Sequence, residues 1–173
     1  MVPPTSRLGV RSAAGCSSLG TMNVDTESIK NLPEQSQEWP GRTDALQPVP
    51  DHGETSYKGR ERLVGKKALI TGGDSGIGRA TAIAFAKEGA DVAIAYLPQE
   101  QDDAEETRKQ VEAAGRKCVL CPTDQRTEQA NIELAEAAVK GLGGVDILVN
   151  NAGYQMAQEG LGKISEEQIR QTF

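Results

Sequence analysis

Two stretches of this chain hold residues whose types and order could do chemistry. The first is Thr71-Gly72-Gly73-Asp74-Ser75-Gly76-Ile77-Gly78. Glycine accepts positive φ and has no Cβ, so such a stretch can turn sharply and let a bulky anion reach the backbone. Where the turn opens a helix, the free N–H groups of the first helical turn and the positive end of the helix dipole complete an anion site. Gly72 and Gly73 are expected to make the turn, Gly76 to lie under a pyrophosphate, and Gly78 to let the helix pack against a sheet. The N–H of Ile77 and the side chains of Asp74 and Ser75 fall where phosphate and ribose would lie. The spacing is T-G-x-x-x-G-x-G, not G-x-G-x-x-G, and the absence of a following Lys-Ser/Thr argues against a P-loop. The second stretch is Asn150-Asn151-Ala152-Gly153, which alone would read as an ordinary turn.

Other candidates weigh less. Cys118 and Cys121 form a C-x-x-C, the spacing of a redox pair or of half a zinc site. "KCVLC" reads as a strand, however, and strand residues three apart point to opposite faces. His52, the single histidine, supplies no second ligand pair. The expectation is two small buried side chains in a reducing compartment, and no metal. His52 and Trp39 are read as contacts of an N-terminal arm, and the acids from Glu100 to Glu106 as a solvated helix start. Tyr57, Tyr96 and Tyr154 are followed four positions later by Glu61, Glu100 and Gln158, so none forms a Tyr-x-x-x-Lys acid–base pair. No residue is assigned a catalytic role.

The elements that must position the glycine stretch are regular from Lys66 onward. "KKALIT", "ADVAIAY", "KCVLCP" and "VDILVN" are apolar, strand-like runs. "GRATAIAFAKEG" predicts a helix with Ile77, Ala80, Ile83 and Ala84 on one face and Gly89 as its stop. "DDAEETRKQVEAAG" predicts a helix with Ala104, Val111 and Ala114 inward. "TEQANIELAEAAVKGLGG" places Ile132, Ala135, Val139 and Leu142 at helical spacing. "SEEQ" from Ser165 has capping-box spacing, so a further helix is expected to start there. Strands alternating with helices predict an α/β fold with a doubly wound parallel sheet of about four strands, helices on both faces and right-handed crossovers. Near-continuous apolar strands fit a sheet covered on both sides.

Residues 1–60 differ. Pro3, Pro4, Pro33, Pro40, Pro48 and Pro50 lie here without lasting periodicity, which predicts an extended, partly disordered arm before a domain spanning 61–173. Residues 1–24 carry Arg7 and Arg11 and no acid, a faint transit-peptide character set against a plain leader or a start at Met22. The net charge of −6 and isoelectric point near 4.9 argue against a nucleic-acid partner. No apolar run is long enough for a membrane helix. A cytoplasmic setting is expected, with an organellar one as the alternative.

With these elements in hand, "TGGDSGIG", "NNAG" and Asp124 just after the third strand resemble, in type and spacing, the short-chain dehydrogenase/reductase family over roughly residues 60–173. The arm's Pro50–Gly59 stretch is most similar to a bacterial-type branch of it, with Lys58 inserted before the glycine. The resemblance implies a Rossmann-type sheet of order 3-2-1-4 and an NAD or NADP cofactor. It implies that Thr71, Gly72, Asp74, Ser75, Gly76, Ile77 and Gly78 hold the pyrophosphate and adenosine ribose, with Tyr96 and Leu97 beside that ribose. It puts Asp124 and Gln125 (the latter through its backbone) near the adenine, and Asn151, Ala152 and Gly153 behind the cofactor. Neither an acid nor a base closes the second strand, position 75 is Ser, and Glu100, Asp102 and Asp103 follow, which leans the reading to NAD. Arg79 is the one nearby cation that would oppose it.

The resemblance further implies hydride exchange with a small carbonyl or alcohol substrate in a homo-oligomer. The family's Ser, Tyr-x-x-x-Lys and relay Asn are expected beyond Phe173, so this chain reads as the cofactor-binding half and inactive alone. The fourth strand is then expected to be an open sheet edge. The alternative is a non-catalytic nucleotide-binding or interaction module.

Overall fold

The computed structural model describes residues 33–37, 43–154 and 160–172. Trp39, Met22 and the leader 1–24 lie outside these residues, as does much of the expected arm.

Strands β1 (Lys67–Thr71), β2 (Asp91–Tyr96), β3 (Cys118–Pro122) and β4 (Ile147–Val149) alternate with helices α1 (Gly76–Lys87), α2 (Gln101–Ala113) and α3 (Glu128–Leu142). A short α4 (Glu166–Thr172) follows. The sheet order is β3-β2-β1-β4, as the resemblance implies, and every pairing is parallel, as the alternation predicts. β1 and β2 are buried almost throughout because they are the central strands and both their faces are covered.

One face carries α1 and α2. There Ala68, Ile70, Val92 and Ile94 pack with Ala82 and Ala86 of α1 and with Ala104 and Val111 of α2. The other face carries α3, whose Leu134, Ala138 and Leu142 pack on Leu69, Ala93 and Ala95. α3 is bounded by its own chemistry. Thr127 accepts a hydrogen bond from Ala130 N at 3.2 Å, and Gly143 closes the helix at φ 77°. The Ser165 box forms reciprocally: Gln168 N donates to Ser165 Oγ at 3.2 Å, and Ser165 N to Gln168 Oε1 at 2.8 Å.

Three expectations are corrected. Ile77 is 79% exposed, and α1 instead buries Gly78, Arg79, Ala82, Ile83 and Ala86. On α3 the expected stripe holds only at Leu142: Ile132 and Val139 are 46% and 48% exposed. α3 carries two apolar stripes at helical spacing, and its packing over β2 and β3 buries the one through Leu134 and Ala138. "VDILVN" forms only a three-residue strand, and Leu148 is 57% exposed. Leu148 pairs in register with Leu69 and so shares the α3 face, but α3 covers the β2–β3 side of the sheet.

The arm from Asp51 to Leu63 is fastened to the C-terminal end of α1. The Asp51 carboxylate accepts from the N–H groups of Gly53, Thr55 and Ser56 and from the Thr55 hydroxyl, which folds the segment on itself. Lys87 Nζ then donates to the carbonyls of Gly53, Glu54 and Tyr57 at 2.7, 2.7 and 3.0 Å. Glu88, 3% exposed, gathers Tyr57 Oη, the backbone N–H groups of Arg60 and Arg62, and the Arg62 guanidinium. His52 pairs with Glu54 inside this arm, as a contact residue would.

Candidate functional site

The end of β1 and the end of β4 are latched together through Thr71. Its Oγ1 accepts from Asn151 N at 3.0 Å and from Ala152 N at 2.9 Å. Asn151 Nδ2 returns two bonds, to Thr71 O at 3.0 Å and Gly72 O at 3.1 Å. The two stretches singled out in the sequence are therefore one unit. They meet where the strand order reverses, between β1 and β4. An open parallel sheet places ligands at such a switch point, beyond the carboxyl ends of its strands.

The glycines divide the labour. Gly72, at φ +63°, turns the chain, and its N–H donates to Ala95 O at 2.8 Å. A Cβ on Gly73 would meet the Ile94 side chain at 2.5 Å. Gly76 is at φ +49° with nothing within 4 Å of where a Cβ would sit, so its outer side is open. A Cβ on Gly78 would lie 1.8 Å from Gly72 O and 2.7 Å from Asn151 Nδ2. Gly78 thus lets α1 close onto the glycine turn at the end of β1 and onto Asn151 beyond β4.

Ser75 is the N-cap residue of α1 in an extended conformation, without a side-chain cap bond, and the first turn contains no acid. The leading N–H groups of α1 are left for another acceptor. Ile77, exposed, stands on the same turn. Asp74 is 3% exposed, and burial pushes its carboxyl above the ordinary range, with added repulsion from Asp103. Glu100, at the mouth of α2, is pushed up by burial and by the charge of Asp74, while its Oε2 accepts from Leu97 N at 3.2 Å.

Of the remaining predicted residues, Leu97 lies half-buried at the open end of β2. Tyr96 is 3% exposed in the core, its hydroxyl donating to Gln101 Oε1 at 2.6 Å. Asp124 follows β3, and the Arg126 guanidinium beside it draws its carboxyl below the usual range. Gln125 O accepts from Asn131 Nδ2 at 2.8 Å. Gly153 is exposed beside the latch. Cys118 packs on the α1–α2 face and Cys121 on the α3 face, so they stand on opposite sides of the sheet as expected. Burial raises both thiols, Cys118 to about 12. Among the described residues no group of His, Cys, Asp and Glu could hold a metal ion, and no helix is long and apolar enough to cross a membrane.

Arg79 was missed as an inward residue. It is 3% exposed, with one guanidinium nitrogen 2.6 Å from Asp103 Oδ1 and Nε on the Asp74 carbonyl at 2.8 Å. Its neighbour Thr107 is fully buried. An Arg in a helical first turn reads as solvent-facing, and nothing in the local pattern marks it otherwise.

A parallel 3-2-1-4 sheet with a glycine turn between β1 and α1 defines a Rossmann-type α/β protein. Residues 66–173 match the family model of the short chain dehydrogenases, and the chain belongs to that family. It is 55% identical over 142 residues to the uncharacterized oxidoreductase YhxD of Bacillus subtilis, covering 82% of this chain and 48% of that protein. The crystal structure of a short chain dehydrogenase from Burkholderia cenocepacia in complex with NADP is similar at 39% identity and TM-score 0.58, over 64% of this chain and 44% of that one. Carveol dehydrogenase from Mycobacterium avium, in complex with NAD, is similar at 30% identity and TM-score 0.59, over 64% and 44%. The chain spans about half the length of the curated relatives it matches.

Proposed function

We propose that this chain is the nucleotide-binding half of an oxidoreductase that moves hydride between a nicotinamide cofactor and a small carbonyl or alcohol. The observation that carries the reading is the latch: Thr71 and Asn151 hold the glycine turn and the end of β4 together at the switch point, with the uncapped start of α1 and the open side of Gly76 facing outward. The nicotinamide would supply the hydride chemistry. This chain's residues would bind and orient: the α1 N–H groups on the pyrophosphate, Asp74, Ser75 and Leu97 on the adenosine ribose, Asp124 and Gln125 toward the adenine, and Asn151 to Gly153 behind the cofactor.

Of the two cofactors the reading takes NAD. Arg79 and Asp103 are engaged with each other, Ser75 brings no charge, and Asp74 and Glu100 would oppose a 2′-phosphate. A cytoplasmic setting and a homo-oligomeric whole protein complete the proposal. The fluorescence of NADH titrated with the full chain tests it. Saturable enhancement, stronger than with NADPH, supports the reading; no binding of either nucleotide refutes it.

A further inference from the structure

The loop that faces the nucleotide is itself held from behind. Arg79 Nε donates to the Asp74 carbonyl oxygen at 2.8 Å, and the Thr107 hydroxyl lies 3.0 Å from the same oxygen. Arg79 is fixed in turn by Asp103, through its carboxylate at 2.6 Å and its carbonyl at 3.0 Å. Arg79 Nε is also 3.0 Å from Thr107 Oγ1, and that hydroxyl, with one proton to give, lies 3.2 Å from Asp103 O besides its shorter contact with Asp74 O. Thr107 is 0% and Arg79 3% exposed, and they come from different helices, α2 and α1.

The consequence follows from peptide geometry. In a trans peptide the C=O and the next N–H lie in the peptide plane and point in opposite directions. Drawing the Asp74 carbonyl toward Arg79 and Thr107 therefore turns the Ser75 N–H the other way, away from that buried cluster. A flip of this peptide would strand a buried carbonyl's donors, which is costly while both donors are present. Without them only the backbone preference of Ser75, extended at φ −145°, holds the peptide in place.

We infer that Thr107 and Arg79 are positioning residues that fix the Asp74–Ser75 peptide so that its N–H is presented to the nucleotide's phosphate–ribose region. This rests on the nucleotide-binding reading above. Neither side chain touches the nucleotide; both act through the loop. Thr107 lies 33 residues from Asp74 in sequence, on the far side of β2, outside any glycine motif.

The test compares Thr107→Val, which keeps the shape and removes the hydroxyl, with Thr107→Ser, which keeps the hydroxyl and removes the methyl. NADH affinity by nucleotide fluorescence and thermal midpoint are read on the full chain. T107V is expected to bind NADH about tenfold more weakly, and T107S within about twofold of the wild type, even where their midpoints fall equally. Arg79→Lys, which loses the Nε donor, is expected to follow T107V and serves if T107V does not fold. Affinities that stay at the wild-type level in T107V and R79K, or that fall in step with the midpoint in both Thr107 variants, overturn the inference. A wild-type chain that binds no NADH overturns the underlying reading instead, and is told apart by that control.

Discussion

Gly78→Ala tests the cradle most directly. The new Cβ would lie 1.8 Å from Gly72 O and 2.7 Å from both Gly72 C and Asn151 Nδ2, where real Cβ contacts keep at least 3.0 Å. The nearest of these atoms are backbone, so they cannot swing aside as a side chain would. α1 and the glycine turn must part. Alanine in a helix is worth about 1 kcal/mol over glycine. Overpacking of this kind costs about 1–3 kcal/mol, and more where backbone has to move. The clash therefore wins, and a net loss near 2 kcal/mol should lower the thermal midpoint by roughly 4–8 °C. Nucleotide affinity should fall further than stability predicts. Parting the turn from the helix misaligns N–H donors that act together, and one hydrogen bond to a charged phosphate is worth about 1.5–3 kcal/mol, or tenfold and more in affinity. NADH titration beside thermal melts of the full chain measures both. A G78A chain that melts like the wild type and binds NADH as tightly would refute the claim that close approach of α1 to the turn shapes the site.

Thr71→Val removes the oxygen that accepts from Asn151 N and Ala152 N. Because those groups are only partly buried, the loss should be about 2 kcal/mol in urea unfolding, with Thr71→Ser losing less than half of that; equal losses would mean the latch holds little. Asp74 has a carboxyl raised by burial, so between its ordinary value of 3.8 and the raised one the folded chain binds more protons than the unfolded chain. The Asp74 contribution to stability should therefore fall as pH rises through that window, and Asp74→Asn should remove that contribution from pH-dependent melts while leaving the one from Glu100, which is raised in the same sense. Lys87→Met removes the ammonium that holds three arm carbonyls, so trypsin should cut the arm at Lys58, Arg60 and Arg62 faster than in the wild type. An unchanged digestion rate would show that Glu88 alone keeps the arm in place.

Much of the architecture was legible because its causes are local. Apolar runs broken by helical periodicity announce strands that must alternate with helices, and alternation leaves few topologies besides a parallel sheet. The glycine stretch declared itself through spacing, since a turn that brings backbone to an anion can use few other residues. The Ser165 box and the Thr127 cap are likewise written within four residues. The pairing of "TGGDSGIG" with "NNAG" was readable as a shared site, though not as a hydrogen-bonded latch.

What the sequence by itself determined, then, is the order of elements, the position of the glycine turn and the opposite facing of Cys118 and Cys121. The tertiary structure alone decided which of two apolar stripes α3 buries, because both repeat at helical spacing and only the sheet beneath selects one. It decided that Gly78 spares the Gly72 carbonyl, a contact across a turn that no pattern encodes. It also decided that Arg79 points inward and Ile77 outward, against their ordinary preferences. A guanidinium leaves water only where fixed partners await it. Asp103 and Thr107 become partners of Arg79 only when α1 and α2 lie side by side on one face of the sheet.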